Sequence, residues 1–360
     1  MVIKYKTATS PFYEELKSSV DDYFSVKKMS KYANVQMLIK SGLTLAAYLF
    51  SYIFLILGSY SLPVFFLLEV VLGLGMAGIF LNIGHDASHN TFFRQKGLNR
   101  LLLNSLTLIG LNPYIFDLLH NRVHHAFTSI EGTGYDIPLE EYSILRLSRN
   151  QEVKPIHKYQ VYYAPVIYCL IVLYYIFSLD FTVYARKKLG NNSGIKHPRF
   201  KLAELCLNKL LYLFFIIALP LILIDLPAGT ILLGILTAHV VASILFTIVG
   251  VLNHQIYESV FPEPNASGVI EKHKKEHELE VTIDFSPYNR IVNLFFGGFN
   301  THVAHHLFPN ICHIHYVEIT RMIERLAIKH GLPYKRKSLY SSIVSHFRYL
   351  KMLSSDKIPA

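Results

Sequence analysis

Apolar positions along this chain fall into long unbroken runs instead of the alternating or one-sided patterns of soluble strands and helices. Met37–Leu57 and Leu62–Ile83 are two such runs of about 20 residues, each long enough as a helix to cross a hydrocarbon layer of about 30 Å. Gly58-Ser59-Tyr60-Ser61 separates them. A second pair, Leu210–Ile224 and Ile231–Leu252, is broken by Asp225-Leu226-Pro227-Ala228-Gly229, where Pro and Gly end the helix. Two further stretches, Leu101–Leu119 and Val161–Phe181, are ambiguous, the first being interrupted by Asn104, Gly110, Asn112 and Pro113. After Lys272 polar residues dominate. There Tyr316–His330 predicts a soluble helix with Ile319, Met322, Ile323 and Leu326 on one face, stopped by Gly331 and Pro333.

Charge orients these runs. No Lys or Arg occurs between Lys40 and Arg94 or between Lys209 and Lys272, so both hairpin turns lack positive charge while the other loops carry it. The positive-inside rule then turns the hairpin tips outward and both termini toward the cytoplasm, in a bacterial inner membrane. Either ambiguous stretch, crossing alone, would strand one of the histidine clusters described below on the far side, so both are expected as interfacial or re-entrant helices. The predicted fold is all-α and membrane-embedded: four transmembrane helices in two hairpins, interfacial helices, and a cytoplasmic helical cap.

Composition agrees. With 52% apolar and 17% charged residues and a mean hydropathy of +0.32, the 360 residues are too oily for an ordinary soluble protein. A single unit is expected over 1–360, with a cytoplasmic segment 1–36, a transmembrane and interfacial core 37–252 and a cytoplasmic cap 253–360. The net charge of +10 suits membrane lipids of an anionic inner leaflet, or a phosphate-bearing substrate, and does not point to nucleic acid. Cys169, Cys206 and Cys312 form no CxxC pair, so neither a disulfide framework nor a thiolate zinc site is expected. The segment before Met37 carries Lys4, Lys6, Lys17, Lys27, Lys28 and Lys31 with no short apolar core, so no cleaved signal peptide is expected.

Chemistry is concentrated in histidine. Of 18 histidines, eight form three groups: His85 and His89 in HDASH, His120, His124 and His125 in HNRVHH, and His302, His305 and His306 in HVAHH. Positions i and i+3 or i+4 share a helix face, so each group can aim its imidazoles at a common point. At this histidine frequency a given three-histidine pattern is expected by chance only about 0.05 times in the chain. Eight imidazoles exceed the needs of one ion and suggest two, with room left for oxygen or water. Imidazole also suits zinc, copper and nickel, so the donors alone leave the metal open.

At these residues the chain resembles the membrane fatty-acid desaturase family, whose pattern is HxxxH, HxxxHH and HxxHH or QxxHH. The contexts HNRVHHAFTSIEGTGYDI and NTHVAHHLFPNICHIHY are similar to the bacterial branch of linoleoyl-CoA and acyl-lipid front-end desaturases, and the likeness spans Leu62 to Pro333. The resemblance implies two non-haem irons and the removal of two hydrogens from adjacent methylenes of an acyl-lipid or acyl-CoA, using O2 and two electrons. It makes ligands of His85, His89, His120, His124, His125, His302, His305 and His306, and adds His254 at the end of the fourth span, with Asn253 holding a water beside it. Two departures stand out. His302 replaces the Gln usual in front-end members, which leaves the double-bond position open, and His197-Pro198 is followed by Arg199 instead of the HPGG of a fused cytochrome b5. Electrons are then expected from a separate ferredoxin, flavodoxin, rubredoxin or cytochrome b5, for which a basic face is a suitable dock.

Unactivated methylenes offer neither an acidic proton nor an electrophilic carbon, so their oxidation needs a metal held beside an apolar channel. Metal-bound imidazoles usually pass their other N–H to an oxygen, which makes Asp86, Glu131, Asp136 and Asp284 candidate partners. Against these stand blander readings. His239 lies mid-span and reads as a satisfied buried histidine, Glu69 as an acid that pairs or snorkels near the outer face, and His273, His277, His313, His315, His330 and His346 as surface or loop groups. Cys312 reads as inert. Competing functions are a hydroxylase, acetylenase or epoxidase on the same fold, a histidine-rich metal transporter, whose ligands belong inside facing spans, and a bis-histidine cytochrome, whose axial pairs do too.

Overall fold

The structure, a computed structural model, describes residues 3–130, 144–189, 192–193 and 195–355. It is mostly helical. Among the described residues the strands form three two-stranded pairs and no closed sheet; two of the pairs tie distant segments in parallel register, Lys4–Tyr5 to Val269–Ile270 and Ile283–Phe285 to Lys335–Lys337. The amphipathic α1 (Pro11–Val26) precedes four helices long and apolar enough to cross a membrane: α2 (Val35–Leu57), α3 (Leu62–Ser88), α8 (Arg199–Leu223) and α9 (Ala228–Val251). Between α3 and α8 lie two bent pairs, α4 (Lys96–Ile109) with α5 (Pro113–Ala126) and α6 (Pro155–Tyr168) with α7 (Ile171–Ala185), turned by 112° and 79° at their breaks.

Helix α3 lies between α2 and α9 in the centre of the bundle, and its glycines make that possible. A Cβ on Gly73 would stand 2.4 Å from the Ala238 carbonyl oxygen of α9, and one on Gly75 would stand 2.8 Å from Cβ of Tyr48 on α2. Backbones approach this closely only over small residues, the usual way helices associate where lipid removes the hydrophobic driving force. Glu69, read as pairing or snorkelling, does neither: it is 3% exposed and its Oε2 has no partner among the described residues. His239 is satisfied as expected, with Nδ1 donating to the Ile235 carbonyl at 2.7 Å and Nε2 accepting from the Tyr212 hydroxyl at 2.8 Å.

Three boundaries differ from the sequence reading. The second span does not stop at Ile83. It continues through a π turn over Phe80–Gly84 to Ser88, so HDASH begins within the helix instead of after it. The third span begins at Arg199, ahead of Leu210, because a buried partner hides the charge of Lys209: its Nζ meets Asp180 of α7 at 2.5 Å and the Gly110 carbonyl at 2.5 Å. The fourth is shifted a few residues earlier than Ile231–Leu252.

The first break in the bent pairs has a local cause, the second a tertiary one. Gly110 takes a left-handed φ of +77°, Asn112 accepts from the Ile115 N–H at 3.0 Å, and Pro113 starts α5, so one helix ends and another is capped within four residues. At the second break α9 supplies the missing partners, the Ser243 hydroxyl accepting from the Val172 N–H at 3.1 Å and Thr247 donating to the Tyr168 carbonyl at 3.2 Å. Beyond α9 come α10 (Lys274–Val281), α11 (Arg290–Phe296), α12 (His302–Leu307), α13 (Tyr316–Lys329) and α14 (Leu339–Met352). They have a core of their own, where Ile319, Ile323 and Leu326 of α13 meet Phe12, Leu16 and Val20 of α1 and Val303 and Leu307 of α12. One reading needs correction: His277, His313, His315 and His346, expected as surface or loop groups, are buried, His346 against the Tyr168 hydroxyl of α6 and the Gln255 carbonyl.

Candidate metal centre

Each histidine cluster is delivered by a local device. The π turn before His85 widens α3 by one residue, a feature frequent at functional sites. His120 lies in the last regular turn of α5, whereas His124 and His125 follow the irregular Val123 in a tighter 3₁₀ turn, so the two halves of HNRVHH face different ways. The third cluster follows two left-handed glycines, Gly297 and Gly298; a Cβ on Gly297 would come within 2.0 Å of the Leu81 carbonyl oxygen. Only glycine lets this turn seat α12 against the end of α3. Asp284 then fixes α12 from its start, accepting from the Val303 N–H at 2.9 Å while Tyr334 donates to its other oxygen at 2.8 Å.

The imidazoles converge into two adjacent sets of four: His85, His89, His120 and His305, and His124, His254, His302 and His306. Within each, one ring nitrogen per residue lies within 4.8 Å of the others. Nε2 of His120 is 3.0 Å from that of His85, 2.9 Å from His89 and 3.3 Å from His125; Nε2 of His85 is 3.2 Å from His305, and that of His124 is 3.2 Å from His306. One imidazole nitrogen cannot hydrogen-bond three others at once, since a neutral ring has a single N–H. A cation about 2.1 Å from each nitrogen spaces them about 3.0–3.4 Å apart, so the residues fit a shared metal in each set. His125 stands between the sets, its ring centroid 4.6 Å from His305 and 4.7 Å from His306. Burial, reinforced by the neighbouring rings, holds His302, His305 and His306 well below the usual histidine pKa, and burial pushes His89 down to about 4. The rings therefore present neutral lone pairs, the form that binds metal.

The outer nitrogens are held unevenly. Nδ1 of His306 lies 2.9 Å from Oε2 of Glu278, off the N–H axis, and 3.4 Å from the Thr128 hydroxyl. Nδ1 of His254 lies 3.3 Å from the Val281 carbonyl and 3.4 Å from Ser129, and Nδ1 of His305 lies 3.4 Å from the Tyr316 hydroxyl. Asp86 stands 3.8 Å from Nδ1 of His85, while its Oδ2 accepts from Nδ1 of His313 at 2.8 Å and from the Cys312 thiol at 3.0 Å. Nε2 of His313 in turn meets Lys40 at 3.2 Å. Asp284 reaches backbone and Tyr334 in place of an imidazole. Asn253 spends its N–H groups on the Phe299 and Val249 carbonyls, at 2.9 and 3.2 Å. Glu131 and Asp136 lie outside the described residues. Glu278, 1% exposed, was not foreseen: KKEHELEV reads as a solvated helix, and nothing in its spacing marks one acid as turned inward.

Beside the metal-type donors opens a cavity of about 190 Å³. Phe80, Leu111, Ile115, Phe116, Leu119, Ile171, Phe246 and Phe299 wall it, and His120, His124, His254 and His302 reach it from both sets. Phe80 and Phe246 stack on each other in its wall, 4.2 Å between centroids. A polar donor cluster for two metals on the rim of an apolar slot fits oxidation of a hydrocarbon chain better than transport of an ion, which needs a polar path.

Fold and site thus define a membrane-type helical protein with two histidine sets that could hold metal beside an apolar cavity. The chain belongs to the fatty acid desaturase family, whose profile matches residues 60–338, and it is an oxidoreductase of that family. It is 31% identical to the sn-1 linoleoyl-lipid 6-desaturase of Synechocystis sp. over 95% of each chain. It is 26% identical to the sn-1 linoleoyl-lipid 6-desaturase of Arthrospira platensis, over 95% of this chain and 92% of the relative. The acyl-lipid (8-3)-desaturase of Physcomitrium patens is 27% identical over 97% of this chain and 74% of its own length.

Proposed function

We propose that this protein inserts a C=C double bond into the fatty acyl chain of a membrane lipid, using two irons held by His85, His89, His120, His124, His125, His254, His302, His305 and His306. The observation that carries this reading is the convergence of nine imidazoles from four separate segments, four of which reach one apolar cavity. Bound there, the irons would supply the oxidising power for removing two hydrogens from adjacent methylenes, with O2, two electrons and two protons consumed and two waters formed. The chain's own part is orientation and exclusion. Phe116 and Leu119 of α5 and Phe246 of α9 confine the acyl chain and keep bulk water away, while Glu278 stands as a buried acid beside the His306 ring and the Val281 carbonyl faces Nδ1 of His254.

The names of the relatives favour a lipid-linked substrate over acyl-CoA. The positive-free hairpin turns favour a cytoplasmic histidine face, with α4–α5 and α6–α7 dipping into the membrane from that side. Electrons would come from a separate acidic carrier, so turnover with the native donor should slow as ionic strength rises.

The test is expression in a host lacking desaturases, with gas chromatography and mass spectrometry of the total fatty esters. A new unsaturated ester, lost in a His124→Ala variant, is expected. A hydroxy ester in its place would move the reading to the sibling hydroxylase chemistry, and an active His124→Ala protein would defeat the ligand assignment.

A further inference from the structure

The acyl cavity is apolar along most of its wall, and nearly every polar side chain on it is already committed. Asn112 caps α5, Asp180 binds Lys209 and the Asn112 N–H, the Tyr168 hydroxyl meets Nε2 of His346 at 2.8 Å, and Thr247 donates to the Tyr168 carbonyl. Gln255 is different. Its side chain is 2% exposed, it lines the cavity directly after His254, and its Oε1 has no hydrogen-bond partner among the described residues. Leaving such a group unpaired in a buried site is costly, so an orphan carboxamide on a cavity wall marks a place where a ligand or water belongs. Rotation of the amide exchanges Oε1 and Nε2, so the same position can offer an N–H to a carbonyl oxygen.

Phe80, Phe246, Ile171 and Phe299 give the acyl chain a hydrocarbon wall beside the histidine sets, Phe299 lying 4.2 Å from the His85 ring. Gln255 is held by its backbone, whose carbonyl accepts from Nδ1 of His346 at 2.6 Å, which leaves the carboxamide free to face the cavity. The carbonyl of an esterified chain is the polar atom the chain itself brings to such a wall, so it is the group an unpaired carboxamide there would meet.

We propose that the Gln255 carboxamide grips the carbonyl of the acyl group and so fixes which pair of methylenes stops beside the two histidine sets. The proposal rests on the desaturase reading above. It makes Gln255 a positioning residue: it touches the substrate away from the reacting carbons, and it sets the register instead of the rate of bond cleavage.

The experiment feeds a chain-length series of fatty acids to the desaturase-deficient host expressing the full chain, and locates each double bond by mass spectrometry of derivatised esters. The wild type should place the bond at a constant count from the carbonyl carbon across the series. Gln255→Leu should scatter the bond over neighbouring positions and raise KM by about tenfold, the loss expected for one buried hydrogen bond. Gln255→Asn, one methylene shorter, keeps the amide and should displace the bond without scattering it. A bond placed at a constant count from the methyl end, or a Gln255→Leu protein with one unchanged position and unchanged KM, would overturn the proposal. So would scatter in Tyr175→Phe alone, since Tyr175 also lines the wall with a polar side chain. No double bond at all from the wild type would instead strike the desaturase reading itself. Should Gln255→Leu not accumulate, Gln255→Asn and the wild-type series still decide between the outcomes.

Discussion

The two histidine sets differ in how they are built. The first, with His85, His89, His120 and His305, is filled entirely from the three sequence clusters and faces the end of α3; the second, with His124, His302 and His306, needs His254 from the end of α9 to be complete. Only HDASH places both its histidines in one set. HNRVHH divides between them, His120 joining the first set and His124 the second, and so does HVAHH, where His302 and His306 stay together in the second set while His305 joins the first. Support differs too. The second set leans on a buried acid within 2.9 Å of a ring nitrogen, whereas the acid of the first, Asp86, stands 3.8 Å from His85 and is engaged by His313 and Cys312. A shared ligand pool with unequal support predicts equal dependence on the ligands and unequal dependence on what stands behind them.

The largest effect tests the equality. His85→Ala and His254→Ala should each cut product formation at least about 100-fold and leave about one iron per chain, read by elemental analysis of purified protein. A His254→Ala protein with full iron and activity would reduce the second set to a hydrogen-bonded cluster. Next comes the inequality. Glu278→Gln should weaken iron retention about 10- to 100-fold under chelator challenge, as loss of a partner behind a metal-bound imidazole does, and Asp86→Asn should cost less. The reverse order would mean that the Asp86–His313–Lys40 chain is the stronger support.

The smallest effect should not distinguish the sets at all, because Asp284 anchors the helix that feeds both. Burial raises its carboxyl from 3.8 to about 7, against the hydrogen bonds from Val303 and Tyr334 that favour its charge. The folded protein therefore binds this proton more tightly than the unfolded chain, and its stabilising effect fades as pH climbs from about 4 to about 7. Asp284→Asn should flatten that part of a melting-temperature profile in detergent and shift stability by about 1 kcal/mol, the worth of a helix cap. A profile unchanged by the substitution would show that the acid stays ionised.

Legibility in the sequence followed the range of the forces involved. The four spans could be read because a membrane helix satisfies its own backbone and must be apolar over its whole length. The break of the first bent pair could be located at Gly110, Asn112 and Pro113, since caps and left-handed turns act over a few residues, whereas the second, between Tyr168 and Ile171, carries no such signal and is completed by Ser243 and Thr247 of α9. Lys209 misplaced the start of the third span because its partner, Asp180, lies on another helix. Likewise α1 was passed over in a lysine-rich segment, although Phe12, Leu16 and Val20 keep the spacing of one helix face.

By itself the sequence determined that this is a membrane-type chain with imidazoles spaced for metal, because composition and i, i+4 spacing are properties of short stretches. Only the tertiary structure decided which imidazole joins which set, that His254 completes one of them, and that Glu278 of an apparently solvated helix turns inward. Those assignments depend on where separate segments meet, and segments distant in sequence meet through packing and charge that no local pattern encodes.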